Sequence, residues 1–477
     1  MFDELATFVT RYRRWLIGLS IAVSLGCAAT YPQLEFDFSP QQFFHTDSKL
    51  GKFRDEFART FAREDNLMLV AIEGDDVFEP RVLGTLRNLT LELQSLETVE
   101  RADSVATFRI PRPGGGPGEL TVEPLLEQTI RTRPDGTDRP VPDASAEKLA
   151  SLAEREPLVH GRFVSKDGRA AAILVWLDRE IQAVQKLRDA IDAIEGRLEK
   201  HPLPDGYDYR LGGVPPLRVE IVSSLQAEQS LFIPLNALIF VLVLWFLFRR
   251  PAGVVLPLGV VVMAVSGTVA MLVATGSSID IVSNVLPTLI FVIGIADSIH
   301  MVTRHAQAAQ TGLDRVEAAR EAVRHTGFAC LMTSTTTAVG FISLVTADSA
   351  LLVDFGWQAA AGVMLAYVFT LFFLPAGLAS MQPVQSTPGG NSGSSDSIQR
   401  GLTGLARRVL ARPRITVAAG LTIAIGFGVA AYQWVRIDEK LMSVFQRNHP
   451  AYRDVEFMEQ KFGGFLPVEV SISSPKR

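Results

Sequence analysis

The sequence predicts a polytopic α-helical membrane protein of about seven transmembrane helices, with an α+β, ferredoxin-like extracytoplasmic domain between the first and second. Three observations predict it. Seven apolar runs, near 15–34, 231–248, 254–276, 281–303, 328–347, 355–379 and 415–435, each approach the ~20 residues that cross a ~30 Å hydrocarbon core. A long polar stretch with strand and helix periodicities separates the first run from the second. Within the fourth run, IVSNVLPTLIFVIGIADSIHMV (281–302), Asp297 is the lone charged side chain. At 48% hydrophobic residues and a mean hydropathy of +0.21, the chain is too apolar for an ordinary soluble enzyme.

Residues 1–34 form a cytoplasmic N-terminus and the first span. The charged lead-in and SLGCAAT also fit a cleaved signal with a lipoprotein-type site at Cys27. Ser24, where leucine is usual, and the apolar continuation to Leu34 favour a retained helix.

Residues 35–228 read as the extracytoplasmic α/β domain. LMLVAIEG (67–74) alternates as a strand, PRVLGTLRNLTLELQSL (80–96) has helical spacing, and VERADSVATFRI (99–110) returns to strand. A Pro/Gly-rich stretch follows, then a hairpin in which GRFVSKDGRAAAILVWLD turns at Lys166-Asp167-Gly168. A helix over 180–200 and a strand at 207–213 complete two strand–helix units, the pattern of ferredoxin-like lobes. Phe43, Phe44, Phe53, Phe57 and Phe61 read as core of this domain rather than as a groove. An amphipathic helix, 215–231, leads into the second span as a rigid lever.

Residues 229–381 hold the second to sixth spans. TGLDRVEAAREAVRHTG (311–327) is amphipathic and is expected to lie along the inner surface. A cytoplasmic, flexible Gly/Ser linker covers 382–414, the seventh span 415–435, and a second extracytoplasmic domain begins at 436–477. At an offset of 401 the tail repeats the start: Asp37 matches Asp438, Phe44 Phe445, Lys52 Arg453 and Phe61 Phe462. The chain thus reads as the first half, and a little more, of a two-fold repeated transporter, truncated inside its second outer domain.

Basic residues in short loops set the orientation. With the N-terminus inside, the inner segments carry fourteen arginines, from Arg11, Arg13 and Arg14 to Arg412 and Arg414, while the outer loops at 277–280 and 347–354 carry none. The charge of −5 is segregated by compartment and says little about partners; no basic patch with interleaved aromatics suggests nucleic acid. Cys27 and Cys330 fall within spans, so neither a structural disulfide nor a metal site is expected. No nucleophile elbow, phosphate loop or HExxH helix points to enzyme chemistry.

A carboxylate in a bilayer costs roughly 3 to 15 kcal/mol, so such residues face a bundle interior or a wet path and mark ion routes. Asp297 and His300 stand at i and i+3 and share a helix face, the arrangement of a proton site and its relay. Ser298, Thr335, Thr336 and Thr337, within the run Thr333 to Thr337, are hydroxyls that either line a proton path or bond their own backbone. Gly294 and Gly340 are expected at close helix contacts, and Pro287 at a bend of the fourth helix.

FVIGIADSIHMVTRH (291–305) resembles the fourth-helix motif of the RND (resistance–nodulation–division) exporters, in the MMPL-like branch, and CLMTSTTTAVGFISL (330–344) is similar to their hydroxyl-rich fifth helix. The order of one helix, an outer domain, five helices and a repeat is similar over the whole chain. The five central helices also resemble a sterol-sensing domain. This resemblance implies a porter-like outer domain and a multi-pass protein of a bacterial inner membrane. It implies export of a hydrophobic or lipid-like substrate driven by the proton-motive force, with protons as coupling ion and no cofactor. Its partners would be the bilayer, an amphipathic small molecule or lipid, and a second copy or complementary half. Where many RND pumps place two adjacent acids, Ser298 follows Asp297 here, which leaves the coupling stoichiometry open. The alternatives are a sterol-sensing-type lipid sensor or scaffold, and an incomplete half-transporter without activity of its own.

Overall fold

The computed structural model describes residues 2–36, 66–113, 120–124, 138–156, 159–181, 183–381, 395–435 and 447–464. The outer-loop phenylalanines Phe43, Phe44, Phe53, Phe57 and Phe61, most of the proposed repeat, and the strand expected at the C-terminal end lie outside them.

The outer domain is built on a four-stranded antiparallel sheet, β1 (Leu67–Glu73), β2 (Val99–Asp103), β5 (Ala170–Leu177) and β6 (Asp208–Gly213), in the order β2-β5-β1-β6. Helix α3 (Pro80–Leu93) follows β1 and α5 (Val184–Leu198) follows β5. In the register, Val70 sits between Ile173 and Leu211. Apart from its two end residues, β1 is buried along its length, as its uninterrupted run of apolar side chains requires.

Two parts of this domain escaped the sequence reading. A small hairpin, β3 (Arg109–Pro113) with β4 (Leu120–Pro124), falls largely on the stretch read as Pro/Gly-rich, and helix α4 (Asp143–Arg155) follows it over residues given no reading. The hairpin expected around Lys166-Asp167-Gly168 is shorter than predicted. Its first arm makes only isolated bridges, Val164 to Ala171 among them, because β5 already has β1 and β2 on its two edges.

Among the described residues, seven helical stretches are long and apolar enough to cross a membrane. They are built on α2 (Arg13–Ala28), α6 (Val214–Phe248), α7 (Ala252–Thr275), α8 (Leu286–Gln310), α9 (Arg315–Ile342), α10 (Ala350–Ser380) and α12 (Pro413–Trp434), with adjoining 3-10 turns extending the spans of α2 to Gln33, of α8 back to Ser283 and of α9 to Thr346. Helices α7, α8 and α10 form the centre, where Val260, Val261, Ile290, Ile295, Ala366 and Leu374 are buried. The apolar side chains of α6 and α12 point largely outward, and α12 buries none of its residues. That is the distribution expected of helices whose solvent is lipid.

Helix α6 is one 35-residue rod, about 52 Å long at 1.5 Å per residue. Its first turns bury Leu217, Ile221 and Leu225 in the core of the outer domain, and its last turns reach the bundle. Gly213 joins it to β6 with φ +113, and a Cβ there would meet Met68 Cα at 2.7 Å, so only glycine makes this junction.

At the arginine-rich end, the expected surface helix 311–327 is instead the opening of α9. Asp314 accepts from Glu317 N at 2.7 Å as its N-cap, and the helix continues without a break into the span. The amphipathic segment lying against it is α1 (Phe2–Arg11): Ala6 and Val9 are buried, Arg320 Nε donates to Thr10 Oγ1 at 3.0 Å, and Arg324 pairs with Asp3. The linker is not irregular throughout, because Ser395–Ala411 is a helix, α11. Beyond α12, α13 (Pro450–Phe462) packs on the outer sheet. Met458 is buried against Gly212, Arg210 Nη1 meets Asp454 Oδ1 at 3.3 Å and Lys461 Nζ meets Asp167 Oδ2 at 2.5 Å.

Candidate functional site

The fourth span opens with Pro287 in the first turn of α8, where a missing N–H costs nothing. The proline therefore starts the helix and does not bend it, contrary to expectation. One turn before Asp297, Gly294 lets α8 approach its neighbours; a Cβ there would lie 3.2 Å from Val261 Cγ2 and 3.5 Å from Ala366 Cβ. Gly340 does no such work, being exposed with nothing within 4 Å of its place for a Cβ.

Asp297 is 7% exposed and faces α9. Ser334 Oγ, 1% exposed, donates to its Oδ2 at 3.0 Å. A cavity of about 570 Å³ between α8 and α9 opens beside the pair, with His300, Arg304, Cys330, Thr333 and Thr337 among its lining residues. Its remaining wall is mixed, with Val292, Ile293, Ala296 and Ala329 on the apolar side and Thr303, Gln307 and Thr326 on the polar side. Tyr367 of α10 is buried behind α9, 6% exposed, and its hydroxyl donates to Gly327 O at 3.4 Å.

The helical register of α9 decides which hydroxyls matter. Residues 330, 333, 334 and 337 share the face toward α8, whereas 335 and 336 turn away from it. Thr335 and Thr336 accordingly do not line the cavity, and Thr336 Oγ1 donates to Met332 O at 2.8 Å. Thr337 lines it but bonds its own backbone at Thr333 O, 2.8 Å. Ser298 is buried and donates to Gly294 O at 2.7 Å, away from the carboxylate. The hydroxyl that makes the 3.0 Å bond to Asp297 is Ser334, with Cys330 and Thr333 of the same face also beside the carboxylate, a set that counting the α9 register back from Thr337 would have picked out. His300 is exposed at the cavity's edge. The sequence reading also passed over His305, fully buried on the same helix eight residues beyond Asp297.

A second buried polar cluster lies in the outer domain. His201, 4% exposed, has Nδ1 2.8 Å from Asp138 Oδ2 and Nε2 3.2 Å from Glu92 Oε1. Asn88 Nδ2 donates to the other Asp138 oxygen at 2.6 Å, and Tyr209 Oη to His201 O at 2.7 Å. The bond to Asp138 raises the His201 pKa against the opposing effect of burial.

Residues 137–416 match the model of the MMPL family. A protein of Methanocaldococcus jannaschii that carries the name membrane protein MJ1562 is 31% identical over 368 residues, which cover 76% of this chain and 88% of that relative. The matched stretch runs from just before α4 to the start of α12, and so includes Asp297, Ser334 and the whole of the central bundle.

Proposed function

The chain belongs to the MMPL family, and from that premise we propose that it is a secondary transporter, driven by the proton-motive force, that exports a hydrophobic or lipid-like substrate across or from the inner membrane. The observation that carries this reading is the buried Asp297 with Ser334 Oγ on its carboxylate. An isolated carboxylate in that setting is costly when charged, whereas one that takes up a proton and donates in turn is not. Two arrangements of α8 against α9 would then alternate, one for each protonation state. One elementary charge crossing 100 mV contributes about 2.3 kcal/mol, so one or two protons per cycle suffice for a conformational step.

His300, at the cavity's edge, is the residue we assign to passing the proton between Asp297 and the inner aqueous phase. Thr333 and Thr337 offer hydroxyls along the same wall. The outer domain is read as ferredoxin-like and porter-like; its βα–ββ–αβ order and the β2-β5-β1-β6 sheet support that reading. Capture from the outer leaflet would occur where the domain meets the bundle.

The test uses everted membrane vesicles containing the full chain and a fluorescent long-chain amphiphile. Acidifying the lumen should drive accumulation with the native protein and none with Asp297→Asn at equal protein level. Equal accumulation by the two proteins would remove Asp297 from the coupling.

A further inference from the structure

Polar side chains on α6 tie it to the helix that carries Asp297 and to the 3-10 turn, Ser283–Val285, that leads into that helix. Gln229 Nε2 donates to Asn284 O at 2.7 Å and to Asn284 Oδ1 at 2.8 Å. Seven residues on, Asn236 Nδ2 donates to Thr288 Oγ1 at 3.1 Å. Phe240 then stacks on Phe291 with ring centroids 5.8 Å apart. Positions 229, 236 and 240 keep to one face of α6, while 288 and 291 share a face of α8 with 284 in the turn just ahead, so the two helices run side by side in the same direction, joined at three successive levels.

Two features make this row more than packing. First, α6 has no linker above it: its opening turns are part of the outer domain's core, and Gly213 fixes it to β6. Any axial shift or rotation of the rod is therefore a movement of the sheet. Second, Pro234 lies inside α6 between the two polar ties. Proline removes one helical hydrogen bond and is the natural place for the rod to give. With Gln229 above held to the turn that opens α8 and Asn236 below held to α8 itself, the weak point is bridged. The Asn236–Thr288 bond lies within the apolar runs, where it is not exchanged for water, so sliding α8 alone would strand its donor.

We propose that Gln229 and Asn236 are positioning residues that carry the displacement of α8 into the outer domain, so that the protonation state of Asp297 and the posture of that domain change together. This rests on the reading of Asp297 as the proton site. Thr288 stands nine residues before Asp297 on the same helix, about 14 Å along its axis, so the tie and the site move as one body.

The experiment uses the full chain in lipid nanodiscs, with Cys27→Ser, the buried Cys330 retained, and spin labels at Asp205→Cys on the outer domain and Asp348→Cys on the bundle rim. The label-to-label distance distribution is recorded at pH 5 and pH 8. In parallel, proton uptake on a pH jump is read with a soluble indicator dye. The native background should shift its distances with pH and take up a proton that Asp297→Asn does not. Asn236→Leu and, on the facing helix, the isosteric Thr288→Val should keep the proton uptake and lose at least half of the distance shift. The swapped pair Asn236→Thr with Thr288→Asn, which restores a bond across the same gap, should recover it. A full distance shift in Asn236→Leu and Thr288→Val, or proton uptake in the native protein without any shift, would overturn this inference and leave the proton site standing. Identical uptake by the native protein and Asp297→Asn would instead overturn the proton site and the inference with it.

Discussion

At the scale of single residues, the account turns on Asp297 and its partner. Removing the Ser334 hydroxyl takes away the carboxylate's principal donor, leaving Cys330 and Thr333 beside it, and a hydrogen bond to a charged group is worth about 1.5 to 3 kcal/mol. Ser334→Ala should therefore slow proton-driven amphiphile accumulation about tenfold or more in everted vesicles, while Thr336→Ala, whose hydroxyl bonds its own helix, should leave it unchanged. A second prediction belongs to His201. Its pKa is raised in the folded protein by Asp138, so its stabilising effect is fully present below the unfolded value near 6.5 and is lost as the pH rises through the higher folded value. Thermal unfolding of the outer domain should shift to lower temperature across that window, and His201→Ala, already without the pair, should show a flatter profile. Asp297 was legible in the sequence because a charge in an apolar run stands out by composition alone. Ser334 was not singled out among five adjacent hydroxyls, because that choice needs the rotation of α9 relative to α8, which only packing fixes. His201 and Asp138, 63 residues apart, gave no local signal at all.

At the scale of elements, glycine and proline separate into those that matter and those that do not. A side chain at Gly294 would press on Val261 and Ala366, neighbours that are themselves buried. Gly294→Val should cost about 1 to 3 kcal/mol and lower the unfolding temperature in detergent, whereas Gly340→Val, with open space around it, should not. Pro287→Ala should likewise be close to neutral, because the proline occupies the first turn of α8. Both glycines looked alike in sequence, since each interrupts an apolar run; their difference lies in which helix face meets a neighbour. The spans were legible to within a few residues at most of their ends, because apolar length is a property of the chain alone. The error at 311–327 has a physical cause. An amphipathic pattern records that one face is covered, not what covers it, and here the cover is the N-terminal helix α1 rather than a membrane surface.

At the scale of the whole molecule, the outer domain, the rod α6 and the bundle form a continuous line of contact from β6 to Asp297. The strands of the main sheet and their two helices were read correctly because alternation and helical spacing are strong there, while β3 and β4 were hidden by prolines and glycines whose local preference is for turns, and α4, with neither residue inside it, was passed over behind them. The C-terminal helix α13 adds a second attachment, with Met458 buried beside Gly212. Met458→Ala should cost about 2 to 5 kcal/mol of that docking, seen as faster hydrogen exchange in β6 and α13 together. The most direct test of the central claim is a difference infrared titration of the full chain in lipid, comparing the native protein with Asp297→Asn. The account predicts a protonated-carboxyl band that grows on acidification in the native protein, is absent from Asp297→Asn, and changes its frequency in Ser334→Ala. Identical carboxyl spectra from the native protein and Asp297→Asn throughout the titration would contradict it.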